Sequence, residues 1–332
     1  MSEPIAHLKD LIDQARSLPP VRVAVVDASQ PVVIESLIEA QALGMVEPWL
    51  LGDPAAIGAA CAELGWDPGT RVLATADDGE SAARAVAMAR AGTVDVIMKG
   101  DLHTDLMMHA LLDHDSGLRL PGRRVSHVFL VEVASYPKLF GITDAAINIS
   151  PNLPAKAEIL QNAIDLFHLL GVAEPKVAVL SAIETVNPAV VSSIDAASLT
   201  LMAARGQIHG ALVDGPLAFD NAISLRAARA KGIASAVAGA ADILLVPDFV
   251  SGNILAKNLE YLANAVIAGV ALGLSVPVVL TSRSDPGPAR VASLAVAALM
   301  HHRNGKAASG IPALDSSQSA TIEPYACCHK PG

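Results

Sequence analysis

The segment Val276-Pro-Val-Val-Leu-Thr-Ser-Arg-Ser-Asp285 carries the clearest indication of fold in this chain of 332 residues. Its apolar first half predicts a buried strand, and the chain then breaks into polar residues followed by Pro-Gly-Pro. In open α/β sheets the carboxyl ends of strands form the ligand crevice, so two hydroxyls and a guanidinium at such an end indicate an anionic ligand. An ordinary surface turn is the alternative for this segment taken alone.

Strand-like and helix-like segments alternate along most of the chain. The predicted elements are a short helix over residues 5–17, then a strand over 21–26, a helix over 31–43, a strand over 49–52, a helix over 54–64, a strand over 71–75, a helix over 79–91 and a strand over 94–98. Residues 125–131 and 139–143 predict a hairpin, and a second alternating series begins with a strand at residues 176–180. This alternation predicts right-handed βαβ crossovers and a largely parallel sheet.

Composition limits the class of protein. With 52% hydrophobic and 17% charged residues, the chain is long enough for one large domain or two that share a cleft. A formal net charge of -10 opposes binding to nucleic acid, because phosphate neutralisation supplies most of that affinity. The three cysteines, including the adjacent Cys327 and Cys328, give no disulfide framework, which favours a reducing, cytoplasmic setting. The sequence also has no signal-peptide pattern and no apolar run of membrane-spanning length, so we expect no membrane partner.

Lys99 and Gly100 follow the strand predicted over residues 94–98, just before a helix that runs to about Leu112 and that Thr104 can cap. Unpaired amides and the positive end of a helix attract anions, and a lysine adds a point charge. The pattern therefore predicts a phosphate-binding junction, with a solvated lysine at a helix start as the alternative. Neither GxGxxG nor GxxxxGK[ST] is present, so the sequence gives no support for a nucleotide fingerprint.

Histidines and aspartates are interleaved over residues 101–115. His103, His109 and His114 are six and five residues apart, so their imidazoles do not share one helical face. The spacing favours a solvated helix end over a metal site, and we expect no metal.

Two strand ends in the second half also carry polar residues. Asp214 follows a strand over residues 211–213, and Asp220 is predicted to cap a helix over residues 221–231. Asp248 follows a strand over residues 241–246. The sequence predicts Asn253 as the cap of a helix over 254–268, with Ser251 and Gly252 beside it as an anion cradle. A capping role without ligand binding is the alternative for both ends.

Seven motifs, taken together and in this order, resemble the phosphate acetyltransferase/phosphate butyryltransferase family. They are Met98-Lys-Gly100, Arg124-Val-Ser126-His-Val-Phe, Ile142-Thr-Asp144-Ala-Ala-Ile-Asn148, Asp214-Gly-Pro-Leu-Ala-Phe-Asp220-Asn-Ala222, Ala241-Asp-Ile-Leu-Leu-Val-Pro-Asp248, Ser251-Gly-Asn253 and Leu280-Thr-Ser-Arg283. The similarity spans roughly residues 15–300. It is greatest to the form that elsewhere follows an enoyl-CoA hydratase-like domain.

The resemblance implies reversible transfer of a short acyl group, acetyl or butyryl, between coenzyme A (CoA) and inorganic phosphate. CoA, acyl phosphate and phosphate would be substrates, with no tightly bound cofactor. It further implies an isocitrate/isopropylmalate dehydrogenase-like fold, with two αβα domains around a cleft, and a homodimer. The first domain would comprise residues 1–145 and 284–304 and the second residues 146–283. The tail over residues 305–332, rich in Ser, Ala, Pro and Gly, is expected to be disordered.

The resemblance also implies roles for individual residues. Arg283 is expected to clamp phosphate, with Ser282 donating to the acyl phosphate oxygens and Arg124 as a second cation. The family's catalytic aspartate lies several residues beyond its Ser-Arg pair, whereas in this chain only Asp285 is near, so Asp285 is the candidate base. The other expected substrate-binding residues are Lys99, Gly100, Ser126, Asp144, Asn148, Asp214, Asp220, Asp248, Ser251, Gly252 and Asn253.

Two other classes of protein stay open at this point. A metal- and NAD-dependent dehydrogenase of the same fold, similar to the 4-phosphohydroxythreonine type, would use the region over residues 101–115. A non-catalytic acyl-CoA-binding protein would bind CoA without phosphate-dependent turnover. Metal content, cofactor absorbance and turnover distinguish these classes.

Overall fold

A computed structural model describes residues 5–282 and 285–307, with side chains up to residue 303. Arg283, Ser284 and residues 308–332 lie outside the described residues, and so does most of the predicted tail. The final helix extends to Ala307, so residues 305–307, which were predicted to belong to the tail, are helical.

Strands and helices alternate along the described chain, which forms a mixed α/β fold. The strands are β1 (Val21–Val26), β2 (Val46–Gly52), β3 (Val72–Ala74), β4 (Val96–Lys99), β5 (Ser126–Glu132), β6 (Phe140–Thr143), β7 (Lys176–Leu180), β8 (Leu212–Leu217), β9 (Ile243–Leu245), β10 (Val266–Leu272) and β11 (Val278–Val279). The helices are α1 (Leu8–Arg16), α2 (Pro31–Ala42), α3 (Pro54–Glu63), α4 (Asp78–Arg90), α5 (Thr104–Leu112), α6 (Leu153–Leu169), α7 (Val191–Ala204), α8 (Phe219–Ile223), α9 (Leu225–Ala230), α10 (Phe249–Leu262) and α11 (Gly287–Ala307).

All of these strands belong to one sheet, in the order β3-β2-β1-β4-β11-β10-β5-β6-β9-β7-β8. The strands from β3 to β11 are mutually parallel, and so are the strands from β6 to β8. Between these halves, β10 pairs antiparallel with β11 and β5, and β5 pairs antiparallel with β6, which confirms the predicted hairpin. Three antiparallel pairings reverse the strand direction. The carboxyl ends of the two parallel halves therefore lie at opposite edges of the sheet.

The two faces of the sheet are covered differently. One face packs against α1, α2, α3, α6, α7 and α11 in a single large apolar cluster. The other face carries two separate clusters, one beneath α4 and α5 and one beneath α8, α9 and α10. We call it the divided face, because its two clusters meet along the central strands β10 and β5.

The boundary between α10 and β10 differs from the sequence prediction. A helix over residues 254–268 was predicted, whereas α10 ends at Leu262 and β10 begins at Val266. Asn264 has φ of 52°, a left-handed conformation that asparagine tolerates better than most residues and that stops a helix. The prediction was wrong because the apolar run Val266–Leu272 fits a helix or a strand when its periodicity alone is considered.

Two predicted caps also differ from the structure. The helix predicted over residues 221–231 is interrupted at Ser224, which caps α9, and α8 begins at Phe219. Asp220 is thus the second residue of α8 and not its cap. Thr104 is the first residue of α5, whose N-cap is His103.

α11 returns the chain from the second half to the first. It packs against α1, α2 and β10, and its residues from Val291 to Met300 are buried. A helix that is apolar on all sides is expected at such a central position. Among the helices of the described residues, none is both long and apolar enough to cross a bilayer.

Candidate active site

β4 and β11 bring Lys99 and Thr281 to the same edge of the sheet. The two strands are parallel, and Met98 lies opposite Val279. Lys99 therefore lies opposite Leu280, one residue before Thr281. The Lys99 ammonium lies 3.3 Å from the Gly100 carbonyl oxygen and 3.5 Å from that of Thr281. Lys99 is only 3% exposed. A buried cation is favourable only where oxygen atoms surround it, so this junction stabilises a charged side chain.

Gly100 is required here by close backbone contact. A Cβ atom on Gly100 would lie 2.0 Å from the carbonyl oxygen of Asp27 and 2.6 Å from that of Val26. The Gly100 amide donates to the same Val26 oxygen at 2.8 Å. No other residue fits at this position without moving β1.

A buried arginine organises the turn after β11. Arg290 donates from Nη1 to the Thr281 hydroxyl and from Nη2 to the Ser282 carbonyl oxygen, both at 2.9 Å. The Ser282 amide donates to Asp285 Oδ2 at 2.7 Å. These bonds tie the turn to α11 and hold Ser282 beside Asp285. Arg283, the expected phosphate clamp, follows Ser282 in the sequence and is outside the described residues.

Asp285 is a partly buried carboxylate with a cationic neighbour. Its side chain is 14% exposed, and Lys257 Nζ lies 3.8 Å from Oδ1 and 2.7 Å from Glu260 Oε2. Burial raises the pKa of Asp285, although the Ser282 amide and the Lys257 charge act in the opposite direction. Burial lowers the pKa of Lys257, but the hydrogen bond that Lys257 donates to Glu260 and the charge of Asp285 leave that pKa raised. Asp285 is therefore more basic than an ordinary aspartate, beside a lysine that stays charged.

Asp144 closes the loop at the opposite edge, after β6. It is 2% exposed, and its Oδ1 accepts the amides of Ala146 and Ile147, each at 3.0 Å. Oδ2 accepts from Asn148 Nδ2 at 2.6 Å. Burial raises the pKa of Asp144 despite these bonds. The carboxylate thus fixes the conformation of the loop over residues 144–148, including the position of Asn148.

Arg124 meets Asn148 at this second edge. Its Nε donates to Glu158 Oε2 at 2.8 Å, and its Nη1 lies 3.5 Å from Asn148 Oδ1. Arg124 and Asn148 line a cavity of about 200 Å³. Ser126 does not contribute to it, because Ser126 is fully buried and its hydroxyl accepts a bond from Asn162 Nδ2 at 2.9 Å.

The start of α10 differs from the predicted anion cradle. Asp248, not Asn253, is the N-cap, and its Oδ1 accepts the Ser251 amide at 2.8 Å and hydroxyl at 3.0 Å. Asn253 is the fifth residue of α10, and its Nδ2 lies 3.5 Å from the Ala145 carbonyl oxygen. A Cβ atom on Gly252 would lie 2.8 Å from Ala145 Cβ. These residues seat α10 against the loop after β6.

Asp214 and Asp220 lie far from Lys99. Asp214 is on the edge strand β8, where its Oδ1 accepts the Gly215 amide at 2.9 Å. β8 and β4 are eleventh and fourth in the sheet order, a separation of about 30 Å at ordinary strand spacing. Asp220 pairs with Lys231 at 3.0 Å, and that hydrogen bond lowers the pKa of Asp220. The sequence prediction grouped residues that the fold keeps apart.

The structure therefore forms two groups from the predicted site residues. The Lys99 group comprises Lys99, Gly100, Ser282 and Asp285. The Asp144 group comprises Arg124, Asp144, Asn148, Asp248, Ser251, Gly252 and Asn253. α10 joins them, because its first turn lies against the Asp144 group and Lys257, about 9 Å further along the helix, reaches Asp285.

Lys257 and Arg290 were not identified from the sequence. The signal for Arg290 is a lone charge at the start of the apolar helix α11, which predicts a buried cation with oxygen partners. For Lys257 there is no comparable signal, because the residue looks like any solvated helical lysine. In the described ranges, no three His, Cys, Asp or Glu side chains are arranged to hold a metal ion.

Comparison with known proteins gives a consistent family. The profile of the family described as phosphate acetyl/butaryl transferase matches residues 72–298. The chain is 49% identical over 290 residues to a phosphate acetyltransferase of Rhizobium meliloti, covering 87% of this chain and 92% of that one. It is 37% identical over 297 residues to a phosphate butyryltransferase of Clostridium acetobutylicum, covering 89% and 98%.

A solved structure shares the fold. A branched-chain phosphotransacylase from Enterococcus faecalis V583 superposes with a TM-score of 0.73 at 31% identity. The superposition covers 85% of this chain and 99% of the other.

Proposed function

Since the chain belongs to the phosphate acetyl/butaryl transferase family and is an acyltransferase that moves a short acyl group between CoA and phosphate, we propose that the Lys99 and Asp144 groups form its active site. The acyl group is acetyl or butyryl. The proposed active site extends along α10, from the turn after β11 to the loop after β6.

The observation that carries this assignment is the Arg290 clamp on the turn after β11. By bonding both Thr281 and Ser282, Arg290 fixes the positions of these two residues beside Lys99. A preorganised turn of this kind presents its donors without reorganisation during the reaction. We propose that Ser282 donates to the acyl phosphate and that Arg283 and Lys99 neutralise its charge.

Asp285 is the proposed base for the CoA thiol. Forming a thiolate at pH 7 costs about 2 kcal/mol, since an ordinary thiol has a pKa near 8.5. The raised pKa of Asp285 is closer to the pKa of the thiol than that of an ordinary aspartate. Transfer of the thiol proton to Asp285 therefore costs less free energy than transfer to an ordinary aspartate. Sulfur then bonds to the acyl carbon, and the bond from that carbon to the phosphate oxygen breaks. Phosphate leaves with the electron pair.

The Asp144 group is proposed to hold CoA. Arg124 is already paired with Glu158, so a ligand phosphate would replace a carboxylate that the guanidinium binds through a single nitrogen. Arginine accommodates phosphate bidentately, which favours that exchange. Asn148 lies on the same cavity and can donate or accept there.

The same proposal extends to architecture, assembly and compartment. The two halves of the sheet would be the two domains of an isocitrate/isopropylmalate dehydrogenase-like fold. A homodimer is supported by α7, which exposes Val191, Ile194 and Leu201 on one side. Apolar side chains grouped on one helix face are typical of an interface. The cytoplasm is supported by the cysteine content discussed above.

Turnover of purified protein tests the function. We expect acyl-CoA and phosphate from CoA with acetyl phosphate or butyryl phosphate, without added metal or nicotinamide. CoA binding without turnover on either acyl phosphate would instead favour a binding module. A change in nicotinamide absorbance with a hydroxy acid phosphate would favour a dehydrogenase.

A further inference from the structure

His127 is a buried imidazole that no part of the site described above uses. It lies on β5 and is 0% exposed. Neither ring nitrogen has a hydrogen-bond partner within the part of the chain that the structure describes. Buried polar groups nearly always have partners, because an unsatisfied one lowers the stability of the folded state. An apolar side chain of similar size would avoid this cost, so the imidazole calls for another explanation.

The imidazole lies on the divided face, as Lys99 does. His127 is opposite Ala271 in the pairing of β5 with β10, and paired residues share a face. Ala271 belongs to the cluster beneath α4 and α5, together with Ile97, and Lys99 follows Ile97 by two residues. Phe129, two residues after His127, packs instead against the cluster beneath α10. His127 therefore lies between the two clusters, over the central strands.

The ring is aimed across the sheet toward the Lys99 group. A Cβ atom on Gly269 would lie 3.0 Å from His127 Cε1 and 3.1 Å from Nε2, so the ring extends over β10. β11 is the next strand, and the pairing of Ala271 with Val278 brings Leu280 beside Gly269. Nε2 is thus about one strand spacing, roughly 5 Å, from the strand that leads into Thr281 and Ser282. Phe129 packs edge-on against the ring, with 4.5 Å between the ring centroids.

The ring is neutral at physiological pH, because burial lowers the pKa of His127 to about 3. A neutral imidazole can donate from one nitrogen and accept at the other. In an apolar surrounding, a neutral donor aimed at a developing negative charge stabilises it strongly. A carbonyl oxygen under attack by a thiolate develops that charge.

We propose that His127 donates a hydrogen bond from Nε2 to the carbonyl oxygen of the acyl group during transfer. This rests on the proposed function. As the CoA sulfur bonds to the acyl carbon, the carbonyl π pair moves onto oxygen, where the Nε2 hydrogen bond holds it. The pair then returns, the bond from carbon to the phosphate oxygen breaks, and phosphate leaves with those electrons. The thiol proton goes to Asp285, and His127 keeps its own proton throughout.

Two substitutions separate this role from packing. His127→Phe fills the same space without a donor, and His127→Gln retains an N–H near Nε2. We expect His127→Phe to lower kcat by about 10²–10³-fold, with KM for CoA nearly unchanged and a melting temperature equal to or above that of wild type. His127→Gln should recover part of the lost kcat. His302→Phe, at an exposed histidine that bonds the Pro19 oxygen, is the matched control and should behave as wild type.

A second readout does not depend on turnover. The His127 ring ¹⁵N resonances, assigned by their loss in His127→Phe, should shift when CoA and the acylphosphonate analogue of acetyl phosphate are added together. Wild-type kcat in His127→Phe, or no ¹⁵N shift in a wild-type protein that turns over acyl phosphate, would overturn the proposal while leaving the function intact. Equal loss of stability and activity in both variants would also overturn it, in favour of packing. A wild-type protein inactive on acetyl and butyryl phosphate would refute the function and this role together.

Discussion

Arg290 Nη2 donates to the carbonyl oxygen of Ser282 at 2.9 Å, although the two residues are eight positions apart in the sequence. The bond joins the first turn of α11 to the turn after β11. Since Arg290 is 1% exposed, its guanidinium is part of the protein interior and not a mobile surface group. The position of Ser282 thus depends on Arg290, which acts without contacting the substrate itself.

Replacing Arg290 with lysine should therefore impair the site through its geometry. Lysine keeps the charge but cannot bond Thr281 and Ser282 at once, and each lost charge-assisted bond contributes about 1.5–3 kcal/mol. We expect a lower melting temperature and a fall of at least tenfold in kcat/KM for acyl phosphate. Arg303→Lys, at an arginine of α11 that bonds the Leu169 oxygen, is the control. Wild-type kinetics in Arg290→Lys would show that the clamp is not needed for catalysis.

Asp285→Asn tests the proposed base. The amide keeps the size and still accepts from the Ser282 amide, but it cannot take a proton, so kcat should fall by about 10²–10⁴-fold. Because the pKa of Asp285 is raised above its ordinary value of 3.8, the charged carboxylate is disfavoured in the folded state at neutral pH. The variant should therefore melt no lower than wild type at pH 7.

The pH profile provides the second test of Asp285. In wild type, kcat/KM should rise with pH through the raised pKa of this carboxyl, and Asp285→Asn should lose that acidic limb. An unchanged profile in the variant would assign the base to another group.

Arg283→Lys tests the residue that the sequence singles out and the described residues do not include. Lysine retains the positive charge but cannot form the bidentate pair with phosphate that arginine forms. If the lost hydrogen bond forms mainly in the transition state, its loss should lower the rate by roughly ten- to hundredfold. We expect stability to change by no more than about 0.5 kcal/mol. Comparable kcat/KM in a folded variant would move the phosphate site to Lys99.

Acid sensitivity should trace partly to His127. Its pKa is about 3 in the folded protein and near 6.5 when unfolded, so below pH 6.5 the unfolded state binds the extra proton. The free energy of unfolding should fall as pH drops from 6.5 toward 3, by at most about 1.4 kcal/mol per pH unit from this group. Urea denaturation at several pH values should show a shallower decline for His127→Phe. Parallel curves for the two proteins would contradict this.

The strand ends of the site could be predicted from local sequence, but their partners could not. Lys99 and Gly100 stand out because an apolar run stops at a lysine and a glycine. β11, which begins at residue 278, lies beside β4 in the sheet. No local sequence pattern encodes this long-range pairing. The family resemblance supplied this long-range information in place of physical reasoning.

Caps and boundaries were less predictable. Asp248 and Asn253 are both good N-cap residues, and only the fold selects Asp248, because α10 must begin early enough to pack on Ala145. Arg290 was missed since its partners are a hydroxyl and a carbonyl oxygen, which have no distinctive sequence pattern. That His127 has no hydrogen-bond partner among the described residues can likewise be seen only once the fold has placed its neighbours.

The late return of the chain to its first half constrains how the protein is made. β4 has β11 as its neighbour on one side, and α11 packs on α1 and α2, so the core around the first four strands is closed by residues near the end of the chain. During synthesis, the N-terminal half emerges from the ribosome long before β11 and α11 exist. The apolar face that α11 will cover and the free edge of β4 must then stay exposed for most of translation. Folding is dominated by contacts of long sequence separation, which are slow to form. We therefore expect the nascent first half to expose apolar surface until β11 and α11 have been synthesised.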